Sequence, residues 1–321
     1  MLEERMTARP SAVFTAAVVQ WAPSFMNAEA GTERACAAIE EAASSGANLV
    51  VFPEAWLTGY PYFEGDSGHS DYLGLWRAFA NAAVTIPGPE VQRIAECAGA
   101  RGVEVILGLN EKDHTDAVFN TMVFFGAEGQ IRGRHRKLMP TITEKLIWAL
   151  GDGSDLEAYD TAFGRLGGLV CFEHQMALAR YACCALGVQV HAALWPGHGF
   201  LDAVIDASIR NLSHENACFV LSAREVMSVD RLAPGVPNHN RPDLWAAHGG
   251  SAIVAPGGEY LAGPVFDAET IITAEINLEA RLDTKWWVNG AGNYARPDVF
   301  QLLWDKRPRP PVVFAQGASH D

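Results

Sequence analysis

A chain of 321 residues, 49% hydrophobic and 19% charged, holds enough apolar material for one large α/β domain or two smaller ones. Its scattered Gly and Pro exclude a fibrous or low-complexity protein. The formal net charge of −14 repels phosphate backbones, which argues against nucleic acid as a partner. No run approaches the roughly 20 apolar residues of a membrane helix, and the charged stretch at 1–10 has no signal core behind it, so the expectation is a cytoplasmic enzyme without a membrane partner.

Residues 12–20 are apolar and β-branched and predict a strand. The Ala- and Glu-rich stretch 28–45 predicts a helix closed by Gly46, the residue that most easily takes the left-handed conformation. A strand at 48–52, a helix at 89–100, a strand at 103–109 and a hairpin over 120–134 turning at Ala127-Glu128-Gly129 follow. The second half runs in the same order: strand 167–170, helix 177–186, strand 189–194, helix 201–216, strand 218–223, then a hairpin turning at Pro256-Gly257-Gly258. No low-complexity linker divides the halves. Sheets of this kind need cover on both faces, so the predicted fold is α/β, a four-layer α-β-β-α sandwich built from two similar halves. It forms a single domain over 1–321, with its core at about 12–300 and a short tail at 301–321.

Cysteines stand at 36, 97, 171, 183, 184 and 218, with no CxxC pair, metal-ligand ladder or regular disulfide spacing, and read as reduced thiols. His174, His191 and His198 invite a metal reading, but no HExxH or paired-Cys spacing supports it; the expectation is no metal and no cofactor. Trp286-Trp287 is expected in an interface or the core.

Three residues stand out. Glu54 closes Leu49-Val50-Val51-Phe52-Pro53-Glu54, Lys137 lies in His135-Arg136-Lys137-Leu138-Met139-Pro140-Thr141, and Cys171 opens Cys171-Phe172-Glu173-His174. Glu54 and Cys171 each follow a short apolar run, which puts them at strand ends where loops build sites. Taken singly, Cys171 would read as a core thiol and the other two as surface charges. An acid, an ammonium and a thiol together suit covalent chemistry at carbon: a thiol with pKa of about 8.5 is only roughly a few per cent thiolate at neutral pH and needs a base beside it.

These motifs resemble the nitrilase superfamily, whose pattern is Glu, Lys and Cys in that chain order. The nitrilase branch adds T-x-x-E and W-x-x-G-D-G-S, matched here by 141–144 and 148–154. Further agreement runs through Leu178-Ala179-Arg180-Tyr181, Gly249-Gly250-Ser251, Leu261-Ala262-Gly263-Pro264 and Arg296-Pro297-Asp298, so the resemblance spans roughly residues 12 to 300. It implies a homodimer or larger homo-oligomer that hydrolyses a small-molecule nitrile to the acid and ammonia. In that reading Cys171 is the nucleophile, Glu54 the general base, Lys137 and the Phe172 amide the donors to developing negative charge, and Glu144 a second acid holding Lys137. Phe172, Trp195, Pro196 and Glu173 are expected around the substrate, Glu173 chiefly as an orienter of local backbone. Phe172 stands where the branch commonly has Trp, His174 where Asn is common, and Asn293 where a His is usual, changes that bear on substrate range and product ratio. The alternatives are an amidase or carbamoylase, a cyanide hydratase or dihydratase, and a catalytically silent binding protein.

Overall fold

A computed structural model describes residues 13–64, 71–228, 231–232 and 247–310. The termini at 1–12 and 311–321, including most of the predicted tail, lie outside the described residues. Strands β1 (Val13–Gln20), β2 (Leu49–Val51) and β3 (Glu104–Lys112) run parallel, and β4 (Val118–Phe125) and β5 (Ile131–Arg136) add an antiparallel hairpin. The second sheet repeats this plan. β7 (Gly164–Val170), β8 (Val190–Trp195) and β9 (Phe219–Arg224) run parallel, and β11 (Ala247–Val254) with β12 (Tyr260–Phe266) continues antiparallel; β6 (Tyr159–Thr161) and β10 (Val226–Met227) extend the sheet. The four-layer sandwich of two similar halves follows, and β13 (Thr270–Asn277), a strand outside the predicted elements, pairs along the whole of β1, so the C-terminal part of the chain completes the first sheet.

Alternation along the strands explains the layering. Phe14, Ala16 and Val18 of β1 join Leu49, Val51, Ile106 and Met122 in the core shared with Val190, Ala192 and Leu221 of the second sheet. Their neighbours Ala17, Val19, Val50, Val105 and Leu107 point the other way, onto helices α1 (Ala28–Ser44) and α3 (Pro89–Arg101). α1 begins at Asn27, whose side chain accepts from the Ala30 amide, and ends before Gly46 at φ +88°, as the helix-stop reading requires. Each aliphatic side chain taken fully into such a core contributes about 1.5–3 kcal/mol, so the shared face outweighs any single polar contact in holding the halves together.

Helix α2 (Tyr72–Ala82) was not predicted; it starts at Asp71 without a side-chain cap. Helices α4 (Ala177–Ala185), α5 (Asp202–Asn216) and α6 (Ala280–Trp287) complete the chain, and no described helix is long and apolar enough to cross a membrane. One expectation is corrected and another is narrowed. Cys36 of α1 and Cys97 of α3 form a disulfide, with Cα atoms 5.7 Å apart, because the two helices lie side by side over the first sheet; their separation of 61 residues gives no such signal in sequence. Trp286 and Trp287 are not in the core but 72% and 69% exposed.

Candidate active site

Strand ends from both sheets deliver the site. β2 leaves the sheet at Phe52, whose amide donates to Ile106, and the chain turns across β3 so that Glu54 lies over Gly108. A Cβ at Gly108 would fall 2.2 Å from the Pro53 carbonyl oxygen and 2.9 Å from the Glu54 Cα, so only glycine allows this close approach. Cys171 follows β7 directly and sits at φ +53°, a conformation that costs a non-glycine residue of order 1–3 kcal/mol and is found at functional sites. Lys137 follows β5, its amide donating to the Asn120 carbonyl.

Glu144 lies on the short helical turn Ile142–Leu146 and closes a capping box with Thr141, whose amide donates to Glu144 Oε2 at 2.6 Å. The same oxygen accepts from Lys137 Nζ at 2.7 Å, and Nζ also donates to Glu54 Oε1 at 2.8 Å. Asn120 Nδ2 donates to Glu54 Oε1 at 2.7 Å, and Tyr60 to Glu144 Oε1 at 2.9 Å. One carboxylate oxygen of Glu54, one of Glu144 and Cys171 Sγ lie within 4.8 Å of one another, all buried. That spacing would suit a metal ion, but the Lys137 ammonium already bonds both acids and takes the cation's place. Trp148, first residue of W-x-x-G-D-G-S, is held by Asn110 and lies 5.5 Å from Lys137 Nζ across its ring face.

Burial dominates the proton affinities. It pushes the Glu54 carboxyl up to about 7, Lys137 drawing it down and Glu144 raising it further. Burial raises the Cys171 thiol well above its usual range, with Glu54 and Glu144 adding to this and Lys137 and the Phe172 amide opposing. For Lys137 burial disfavours the charge, but Cys171, Glu144 and Glu54 outweigh it and hold the ammonium. At rest the site is thus a neutral thiol beside a fixed ammonium and a carboxyl that titrates near neutrality, with Glu54 Oε2 buried and lacking a hydrogen-bond partner.

A cavity of about 220 Å³ opens on Cys171, lined by Phe172 and Pro196 and also by Tyr60, Glu64, His198 and Phe200. Trp195 and Glu173 lie elsewhere. Trp195 is fully buried behind the site, its ring 4.6 Å from that of His174. Both oxygens of Glu173 are taken up by protein: the Leu138 and Val170 amides donate at 2.7 Å and His135 Nε2 lies 3.0 Å away, which ties the Lys137 loop to the Cys171 turn. Sequence reasoning missed Asn120, Tyr60 and Glu64. Asn120 had a signal, since a lone amide inside the apolar strand Val118–Phe125 must find a partner.

The chain is similar to known proteins along most of its length. The family profile described as Carbon-nitrogen hydrolase matches residues 15–285. A protein named Nitrilase 2 from an unknown prokaryotic organism is 38% identical over 96% of this chain and 97% of its own length, and Nitrilase 2 of Arabidopsis thaliana is 37% identical over 95% and 92%. A bifunctional nitrilase/nitrile hydratase of Lupinus angustifolius is 36% identical over 95% and 89%. Among solved structures, a carbon-nitrogen hydrolase of Helicobacter pylori superimposes with TM-score 0.73 at 22% identity, covering 90% of this chain and 97% of that one. A Saccharomyces cerevisiae member of the nitrilase superfamily gives 0.72 at 20%, covering 89% and 99%, which speaks to the fold alone. A profile match across most of the chain and relatives this similar over nearly their whole length establish that the chain belongs to the carbon-nitrogen hydrolase family.

Proposed function

We propose that this enzyme is a nitrilase that converts an organic nitrile to its carboxylic acid and ammonia. The observation that carries the reading is the buried set of Glu54, Lys137, Glu144 and Cys171, of which Glu144 and Cys171 line one small, chiefly apolar cavity. Glu54 takes the Cys171 proton as sulfur adds to the nitrile carbon, and the proton passes to nitrogen to give a thioimidate. Water activated by Glu54 adds, ammonia leaves and a thioester remains; a second water releases the acid and restores the thiol. The raised thiol makes this order necessary, because the proton must leave as attack occurs rather than before it. Lys137 and the Phe172 amide stabilise the charge that develops on nitrogen and later on oxygen.

All of 1–321 acts as one domain, a reading supported by β13, which returns from the second half to complete the first sheet. The enzyme works as a homo-oligomer, for which the exposed Leu178, Trp286, Trp287 and Phe300 offer apolar surface. It works where Cys171 stays reduced, the cytoplasm being one such place; Cys183, Cys184 and Cys218 are also free, whereas the Cys36–Cys97 pair no longer supports that inference.

The test is ammonia release from aliphatic, aromatic and arylacetic nitriles, their amides and free cyanide, with Cys171→Ala as control. Nitrile turnover lost in the variant supports the reading. Activity on amides or cyanide alone moves the assignment to an amidase or a cyanide hydratase.

A further inference from the structure

Glu64 stands apart from the acids the chemistry uses. It lies ten residues beyond Glu54, is 6% exposed, and lines the same cavity as Cys171. The Tyr60 hydroxyl lies 3.3 Å from its Oε1 and the Thr143 hydroxyl also addresses the carboxyl, but Oε2 is buried without a hydrogen-bond partner. Much of the remaining wall is apolar: Ile142, Phe172, Pro196, Phe200 and Leu201. Burial lifts its proton affinity to about 7, with the nearby Glu144 raising it further, so the group is held in surroundings that solvate its charge poorly.

An apolar wall around a small cavity would be served better by an apolar residue at this position. A buried acceptor left unmatched costs about 1–3 kcal/mol, so its presence makes sense where a ligand supplies the missing donor. We propose that Glu64 is a specificity-determining residue that accepts a hydrogen bond from a hydroxyl or ammonium group on the substrate, remote from the nitrile, so that the enzyme prefers hydroxy- or aminonitriles to their hydrocarbon counterparts. The proposal rests on the nitrilase reading and deepens it. A site built around a substrate donor rejects the analogue lacking it far more strongly than a missing methylene is rejected, because the analogue leaves the buried group unpaired.

The experiment compares straight-chain nitriles of graded length ending in hydroxyl, ammonium or methyl, assayed by ammonia release with wild type, Glu64→Gln and Glu64→Leu. At the best chain length, wild type is expected to favour a donor-ended nitrile over its methyl-ended counterpart by at least about tenfold in kcat/KM. Glu64→Leu should bring that ratio to one or invert it. Glu64→Gln, which keeps an acceptor oxygen and serves if the leucine variant fails to fold, should retain a preference for hydroxyl but lose one for ammonium, which separates the two donors. A wild-type enzyme indifferent to the terminal group overturns the proposal. So does a uniform fall for all three nitriles in both variants, which would instead make Glu64 a positioning residue acting through Tyr60 and Glu144. Absence of turnover on every nitrile would overturn the nitrilase reading itself, an outcome distinct from either.

Discussion

At Cys171 two needs meet: the sulfur must lose its proton to react, yet its surroundings hold that proton in place. The resolution is the neighbouring Glu54, whose raised carboxyl and free Oε2 make it an effective acceptor near neutral pH. Cys171→Ala should therefore lower turnover at least about a thousandfold while circular dichroism and the melting temperature remain those of wild type. Glu54→Gln keeps shape and removes the base, and should cost roughly 10²–10⁴ in kcat; wild-type rates in that variant would remove Glu54 from the mechanism. Because the base works as the carboxylate, kcat/KM should be low in acid and rise with pH through about 7, and a profile flat across that range would contradict the role. The His135–Glu173 pair makes a prediction about stability instead. Burial opposes the charge on His135, but Glu173 and Asp155 raise it to about 10 against 6.5 unfolded, so its contribution is complete below 6.5 and fades as pH climbs through 10. Burial works against the Glu173 charge too, but His135 and the backbone amides hold it below 4.5, so its contribution fades as acid passes through that lowered value. Urea melts of wild type and His135→Gln should differ most between 4.5 and 6.5 and converge in strong alkali.

At the scale of elements, the site is an outcome of strand ends and short turns. β2, β5 and β7 belong to two sheets, yet each hands over a residue where its pairing stops: the acid, the ammonium and the thiol. The turn at 142–146 lets one carboxylate oxygen do two tasks, capping its own turn and pairing Lys137, which fixes the ammonium on both sides. α1 and α3 are held by the Cys36–Cys97 bridge, away from the site and around a loop whose closure contributes roughly 4 kcal/mol on chain-entropy grounds. Cys36→Ser should lower the melting temperature and leave kcat at the wild-type value. Intact-mass measurement before and after reduction checks the bridge directly.

For the molecule as a whole, the two sheets share one buried face and β13 knits a late segment of the chain to the beginning of the described residues. The surface beyond is uneven: Leu178 of α4, Trp286 and Trp287 of α6, and Phe300 and Leu303 stand 68% to 97% exposed on one short list of elements late in the chain. If this surface joins copies of the protein, Leu178→Asp with Trp287→Asp should shift the sedimentation coefficient to that of a monomer, and an unchanged assembly would point to another face.

By its sequence alone the protein declares an alternating α/β chain, two similar halves and the trio Glu54, Lys137 and Cys171, because periodicity, helix stops and short motifs are local properties that the chain carries wherever it folds. What lay beyond local reading had to wait for tertiary structure. The pairing of β13 with β1 joins segments some 250 residues apart, and the bridge between Cys36 and Cys97 depends on two helices meeting. Trp195 moved from the expected pocket wall to a place behind it, and Glu173, read as an orienter of local backbone, proved to tie two separate loops together, since a strand-end position sets where a residue is but not which way its side chain turns. Glu64 entered the cavity by the same logic: nothing in its neighbours distinguishes it from a surface acid, and only the fold that brings its carboxyl to the wall beside Cys171 leaves it short of a donor.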